Sequence, residues 1–125
     1  MIRDNYVHGF PAKAWDAAKS EARAIMVARA RRKRDISYTD LVAGITHIAL
    51  EAHDIRLDHL LGEIAQEEDA AGRGLLTVLV VHKTGDKMPG PGFFQMAESR
   101  GRDISDKEAL WVHEMRKVQE TWAKK

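Results

Sequence analysis

The 125-residue chain contains no cysteine, only three prolines and few aromatic residues, and its formal net charge is only +1. Without cysteine, disulfides, zinc ribbons and thiol nucleophiles are excluded, and the composition suits a reducing compartment. A net charge so close to zero produces no global field for polyanions, so any nucleic-acid contact must come from local patches. No apolar run approaches the roughly 18 residues that a membrane span needs. No basic segment followed by an apolar core opens the chain. These absences predict a soluble, cytoplasmic protein with no membrane partner.

What is present is enough for one core, because 44% of the residues are hydrophobic and 31% are charged. We therefore expect a single domain over residues 1–125. The predicted fold class is α+β and mostly helical. Its centre, at about residues 37–94, is a winged helix-turn-helix-like core with a small β-sheet. Flanking helices are predicted at about 11–34 and 105–124.

Capping and periodicity place the helices. Pro11 suits the first turn of a long amphipathic helix that carries the flanking segment 11–34. Ser37, with Asp40 three residues later, predicts the cap of a short second helix that ends near Gly44. A third helix has leucines and isoleucine on one face and ends at Gly72.

The chain after residue 90 predicts two further helices. One is short, turns Phe93 and Phe94 inward and is closed by Gly101. The last helix is predicted to be capped by Ser105 with Glu108. It carries an apolar stripe that is typical of core or of a dimer contact. The stripe comprises Trp111, Met115, Val118 and Trp122, with Leu110 beside it.

Two segments favour strands. Residues 75–81 are almost purely apolar and rich in β-branched residues, which predicts a strand covered on both faces. The strand stops at His82 and Lys83 and is followed by a turn and a glycine-proline loop, an arrangement typical of a basic wing. Residues 45–54 alternate in polarity and predict a second, weaker strand.

The segments GRGLLTVLVVHKTGDKMPGPGFF, SYTDLV and LDHLLGEI carry a family resemblance that covers about half the chain. They resemble uncharacterised bacterial and phage winged-helix-like proteins, which have a GRGLLxxLVVxK motif followed by PGxGFF. Similar modules accompany HNH-type restriction endonucleases. The resemblance implies a DNA-associated module in phage defence or mobile-element biology. This chain lacks the nuclease domain of those larger proteins, so no catalytic role is implied.

A winged helix that binds duplex DNA places the N-terminal residues of its third helix at base edges and its wing on phosphates. Arg56 is then the best candidate to read guanine, with Asp58, His59 and Glu63 facing the groove. His82, Lys83 and Lys87 would supply wing contacts. The predicted DNA-binding residues are Tyr38, Thr39, Arg56, His59, Arg73, His82, Lys83 and Lys87. Against this prediction, Glu67, Glu68 and Asp69 place three acids at the end of the third helix.

A run of cations occupies residues 29–34, where only Ala30 interrupts four arginines and one lysine. The run indicates either a nucleic-acid patch or a solvated helix end, because the helix dipole alone favours cations there. The sequence leaves both interpretations open.

The sequence gives less support to a catalytic or metal site than to DNA binding, so no cofactor is expected. His47, His53, Asp54, Asp58 and His59 crowd together, but their spacing matches no ligand set that we can name. The HEMRK segment at His113 has Lys117 where a zinc protease needs its second histidine. One acid-base cluster of His82, Lys83 and Asp86 remains open. A non-enzymatic interaction factor, or a homodimer that uses the Trp111 and Trp122 helix, is the main alternative to DNA binding.

Overall fold

The computed structural model describes residues 6–85 and 87–123, and within them the chain forms five α-helices and four two-residue strands. The fold is α+β and mostly helical, as predicted. The helices are α1 Ala12–Arg31, α2 Tyr38–Ala43, α3 Ile55–Ala70, α4 Pro91–Ser99 and α5 Lys107–Ala123. The strands are β1 Tyr6–Val7, β2 Phe10–Pro11, β3 Ile36–Ser37 and β4 Val80–Val81. No helix in these ranges combines the length and the apolarity that a membrane span requires.

The core is organised around the apolar run at residues 75–81, every residue of which is buried. Helices α1, α3 and α5 all pack against it. The predicted seven-residue strand is wrong, because residues Leu76–Leu79 form a 3-10 helix and only Val80–Val81 extend into β4. A run enclosed on all sides shows no alternation of faces, so its periodicity does not separate helix from strand.

Strand β4 pairs with β3 in parallel, with Ile36 opposite Val80 and Ser37 opposite Val81. Because parallel strands end at the same edge, the pair brings the start of α2 next to the loop that follows β4. A backbone hydrogen bond from His82 N to Met88 O, at 3.0 Å, closes that loop. Strands β1 and β2 form a separate antiparallel pair.

The helix caps agree with the sequence at one position and differ at another. The Ser37 hydroxyl accepts a hydrogen bond from Asp40 N at 3.0 Å, which confirms the predicted cap of α2. At α5 the predicted Ser105 cap is wrong, since the Asp106 carboxylate accepts from Ala109 N at 3.0 Å. Aspartate is as good an N-cap as serine, and the two stand side by side in the sequence. Ser105 instead donates its backbone N–H to Asp103.

Most of the apolar stripe of α5 faces the protein's own interior. Val118 is fully buried, and Leu110 and Trp122 are 8% and 6% exposed. Trp111 and Met115 are half-buried and pack against the same core. The core interpretation of this stripe is therefore confirmed, and little of it remains for a partner.

The weak strand predicted at residues 45–54 is also wrong, because these residues form loops and turns. The Glu21 carboxylate holds this segment to α1 by accepting the backbone N–H groups of Thr46 and His47 at 2.9 and 3.1 Å. Hydrogen bonds from Thr46 and His47 lower the pKa of Glu21 to about 2. The Glu21 side chain thus accepts two backbone N–H groups that would otherwise be available to a neighbouring strand.

Candidate nucleic-acid interface

The predicted base-reading residue, Arg56, is held at the start of α3 by an ion pair. Its Nη2 lies 2.7 Å from Asp54 Oδ2 and its Nε lies 3.0 Å from Oδ1. The guanidinium also lies 4.7 Å from the ring centre of Phe10. Asp54 is at the same time the N-cap of α3, because it accepts the N–H of Arg56. Hydrogen bonds from Arg56 lower the pKa of Asp54 to about 2. Contact with a base through the Nε and Nη2 edge of the guanidinium would require this pair to open.

Arg73, another predicted contact, belongs to an internal network. Its guanidinium donates two hydrogen bonds of 2.8 Å to Glu68, which is only 1% exposed. Arg23 donates a third hydrogen bond to the same carboxylate at 2.9 Å. Burial alone would raise the pKa of Glu68, but the hydrogen bonds from Arg73 and Arg23 lower it overall. Arg73 therefore neutralises a buried acid.

The other two acids at the end of α3 are neutralised within the fold in the same way. Glu67 lies 2.8 Å from Lys19 Nζ. Asp69 pairs with Arg102 at 2.8 Å and with Arg100 at 3.0 Å, and the hydrogen bond from Arg102 is the main cause of its lowered pKa. The repulsion expected from three free acids is therefore largely cancelled by their own cations.

The cations at the end of α1 are arranged differently. Arg32, Lys33 and Arg34 are exposed, and none of them forms an ion pair with any residue in 6–85 or 87–123. Arg29 and Arg31 beside them contact neutral groups: Arg29 Nη1 donates to Asp35 O at 2.7 Å, and the Arg31 guanidinium lies 5.8 Å from the ring centre of Trp122. Within the part of the chain that the structure describes, the run at residues 29–34 is therefore a group of cations without carboxylate partners.

Lys33 adopts an uncommon backbone conformation, with a φ of 56° in the turn that ends α1. Positive φ values suit glycine, and a side chain there costs free energy. The sequence did not predict this feature. The one indication in it is that the helix ends among arginines and a lysine, with no glycine after them to adopt the positive φ.

Tyr38 and His82 are brought together by the β3–β4 pair. Their ring centres are 5.3 Å apart, and the Tyr38 hydroxyl accepts the backbone N–H of Gly90 at 2.8 Å. A β-carbon at position 90 would lie 3.2 Å from that hydroxyl, so glycine permits the approach. Burial is the main cause of the raised pKa of Tyr38. Thr39 lies beside this group and is exposed.

The remaining predicted wing residues lie on the loop after β4. Lys83 and Lys87 are both exposed and make no ion pair within the described part of the chain. Lys87 also has a positive φ, of 55°. Asp86, the third member of the predicted acid-base cluster, lies outside the described residues.

His59, the last predicted contact, stacks on His8 with ring centres 4.4 Å apart and planes 7° from parallel. The neighbouring histidines have other partners, since His47 Nδ1 lies 2.8 Å from Glu21 and His53 Nε2 lies 3.4 Å from Glu51. Across residues 6–85 and 87–123, no group of three or more potential ligands is placed to hold a metal ion.

No protein-family model, curated protein or solved structure matches this chain. The resemblance to phage and restriction-associated winged-helix proteins therefore stays a prediction. Function has to be argued from the charges and the clefts of the molecule.

Proposed function

We propose that the protein binds duplex DNA, mainly by contacts between phosphates and the cations at residues 29–34. The observation that carries the proposal is that Arg32, Lys33 and Arg34 are three adjacent exposed cations without an ion pair in the described residues, whereas other unpaired cations, such as Lys13 and Arg116, lie elsewhere on the chain. Arg32 and Arg34 are exposed and have no carboxylate partner in the described residues, whereas Arg23, Arg56, Arg73, Arg100 and Arg102 are all paired. The phosphates of DNA can bind such unpaired cations and release their own counterions, and this release favours binding.

The conformation of Lys33 adds a second argument. A lysine at a positive φ is strained relative to glycine, and strain of this kind collects at binding sites where the side chain is needed. A lysine at this position extends the cationic surface between Arg32 and Arg34. The ending of the helix accounts for a positive φ at this position, but glycine is the usual residue there, and a lysine in its place has a free-energy cost that a binding role would explain.

The order of elements supports a winged helix-turn-helix arrangement for the rest of the contact. Strand β3, the helices α2 and α3, the 3-10 helix Leu76–Leu79, strand β4 and then a basic loop follow one another in an order similar to that fold, with residues 44–54 as a longer connection between α2 and α3. In this arrangement Lys83 and Lys87 add phosphate contacts, and Tyr38, Thr39, His59 and His82 lie near the same loop or on α3. Because Arg56 is already paired, sequence-specific reading by α3 is expected to be weak. The protein is therefore proposed to bind phosphates more than to recognise bases.

The test is fluorescence anisotropy of a labelled duplex at low salt with two matched double variants. Arg32→Gln/Arg34→Gln removes two unpaired cations at the end of α1. The control, Lys13→Gln/Arg116→Gln, removes two exposed cations elsewhere and gives the same net charge. We expect at least about a tenfold loss of affinity for the first pair and little change for the control, because local contacts rather than net charge determine the binding.

Two outcomes would reject the proposal. One is the absence of duplex binding by the full chain at low salt. The other is an equal loss in both double variants, which would indicate a non-specific charge effect. Circular dichroism of each variant establishes that the fold is retained.

A further inference from the structure

Two clefts meet at the side chains of Tyr38 and Asp58 and at Gly92, which line both of them. The first has a volume of about 390 Å³ and lies between α3 and α4. The second has a volume of about 450 Å³ and lies between the loop after β4 and the start of α4. Both volumes are within the range of small-molecule sites. None of the cations at residues 29–34 lines either cleft.

The cleft between α3 and α4 offers hydrogen bonds without a formal positive charge. Thr77 lines it and is 4% exposed, and its hydroxyl has no hydrogen-bond partner in the described part of the chain. Gln66 and Gln95 supply amides at the rim, while Leu61 and Phe93 supply apolar surface. A hydroxyl that lines the cleft can donate a hydrogen bond to a ligand atom or accept one from it. Such a lining fits a flat, neutral group that carries hydrogen-bonding atoms.

The adjoining cleft has the opposite preference. His53, His82 and Lys83 line it, and so do Gly90 and Pro91 at the start of α4. No side chain caps α4. Its first residue, Pro91, has no N–H, and Phe93 N donates to Gly90 O at 3.1 Å, so the N–H of Gly92 is the donor left at the start of this nine-residue helix within the described residues. Lys83, His82 and the N–H of Gly92 can donate hydrogen bonds to an anion, whereas His53 is already paired with Glu51.

Asp58 lies between the two. Its carboxyl group is 3.5 Å from the position that a β-carbon would take at Gly92, next to the start of α4. A carboxylate in such a place accepts hydrogen bonds from sugar hydroxyls, as an acidic residue does in dinucleotide-binding folds. From one end of the two clefts to the other, the lining therefore suits a neutral planar group, then a hydroxyl group, then an anion.

We infer that the two clefts together bind one nucleotide. The base occupies the cleft between α3 and α4 with a hydrogen bond to Thr77. A sugar hydroxyl meets Asp58, and the phosphate lies beside Lys83 and His82 at the start of α4. The ligand is either a free mononucleotide or one nucleotide of a single strand, since both present the same three groups.

Gly62 provides a variant that blocks the first cleft without threatening the fold. It lies in α3 and lines this cleft, and a β-carbon there would have no atom within 4 Å. Replacing a glycine inside a helix by leucine favours the helix. Gly62→Leu should therefore fill the cleft in a folded protein. Ala70→Leu, on the exposed last turn of α3, is the matched control.

The experiment is isothermal titration of the full chain with the 5′-monophosphates of adenosine, guanosine, cytidine and uridine. We expect binding of at least one of the four, a loss of at least about tenfold in Gly62→Leu, and no change in Ala70→Leu. If none of the four binds, or if Gly62→Leu binds as well as the unmodified chain, the inference is wrong.

Two further variants test the orientation of the ligand. Thr77→Val should weaken a nucleoside and its monophosphate by the same factor, about tenfold for one hydrogen bond. Lys83→Gln should weaken only the monophosphate. If Lys83→Gln weakens the nucleoside as much as the monophosphate, the phosphate is not at the start of α4 and the assignment fails.

Titration with a single-stranded octanucleotide separates the two sources of the ligand. If the clefts take a nucleotide of a strand, Gly62→Leu lowers the octanucleotide affinity as well. If the clefts take a free mononucleotide, Gly62→Leu lowers only the affinity for the mononucleotide. Arg32→Gln/Arg34→Gln should leave mononucleotide binding intact. Failure of duplex binding and failure of the nucleotide site are therefore distinguishable.

Discussion

The C-terminal ends of α1 and α3 use the same backbone arrangement with opposite side chains. At α1, Lys33 N donates to Ala30 O at 3.0 Å and Arg34 N donates to Arg29 O at 2.9 Å. At α3, Gly72 and Arg73 make the equivalent two bonds, both of 3.0 Å. This pair of bonds defines the Schellman ending, which places one residue in the left-handed region. That residue is Lys33 with a φ of 56° in one helix and Gly72 with a φ of 81° in the other.

The arginine that follows shows the same contrast. Arg73, after the glycine, is bound to a buried carboxylate, whereas Arg34, after the lysine, is exposed and has no ion-pair partner in the described chain. The end of α3 is thus arranged for stability, with an unstrained turn and a neutralised charge. The end of α1 keeps both strain and unpaired charge, which is the combination expected of a binding surface.

The largest expected effect is at the end of α3. Glu68→Gln should lower the free energy of unfolding by about 3 kcal/mol, because it removes the acid that Arg23 and Arg73 share. The estimate is at the low end for buried pairs, since both arginines are partly exposed to water. Urea denaturation measures the change. The matched variant Glu67→Gln, at an exposed pair, should change stability by less than about 1 kcal/mol; equal effects would mean that burial of Glu68 contributes nothing.

Of the two arginines that follow these helix ends, Arg73 should contribute more to the free energy of unfolding than Arg34. Arg73→Gln should cost about 1.5 kcal/mol, because Glu68 loses two charge-assisted hydrogen bonds and retains only Arg23. Arg34→Gln should stay within about 0.5 kcal/mol, as expected for an exposed side chain without partners. Urea denaturation of both variants compares them directly. A cost for Arg34→Gln as large as that for Arg73→Gln would show that Arg34 is structural.

The third prediction exchanges the residues at positive φ. Lys33→Gly should raise the free energy of unfolding by roughly 0.5–1 kcal/mol, because it removes the strain of a side chain in the left-handed region. Gly72→Lys should lower it by a similar amount. Thermal denaturation followed by circular dichroism compares the two. Destabilisation by Lys33→Gly would mean that its side chain stabilises the fold and is not kept for a ligand.

The smallest expected effect concerns pH. The pKa of Asp54 is about 2 in the folded protein against an ordinary value of 3.8. Its pair with Arg56 therefore contributes fully above about pH 4, and the contribution is lost as the pH falls toward 2. Asp54→Asn retains an N-cap but removes the titration, so its stability should fall less steeply between pH 4 and 2. Equal acid profiles for the two proteins would show that the ion pair adds nothing.

Local signals in the sequence predicted most of the helices. Ser37 and Gly72 marked the boundaries of α2 and α3 because capping depends on a few adjacent residues. The apolar run at residues 75–81 was predicted as core but not as a 3-10 helix, since burial on every side erases the periodicity. The loop at 45–54 was mistaken for a strand because its partner, Glu21, lies on another helix.

The candidate interface was less accessible to sequence reasoning. Arg56 and Arg73 were predicted to bind DNA from their charge and position, yet each is paired with an acid nearby. The partners of Asp69, namely Arg100 and Arg102, lie about 30 positions away, with Arg102 33 positions along the chain. The pairing of Asp69 therefore depends on tertiary contacts, whereas the acids paired with Arg56 and Arg73, Asp54 and Glu68, are close to them in the sequence. The run at residues 29–34 could be recognised in the sequence, but the absence of carboxylate partners for it among the described residues could not.

The salt dependence of duplex binding tests the central claim most directly. The logarithm of the affinity falls with the logarithm of salt concentration by about 0.9 for each phosphate contact. The slope for Arg32→Gln/Arg34→Gln should therefore be shallower than that of the unmodified chain by about 2, while Lys13→Gln/Arg116→Gln should keep the original slope. If the slope is unchanged in Arg32→Gln/Arg34→Gln, the cations at the end of α1 do not contact phosphates, and the account is contradicted.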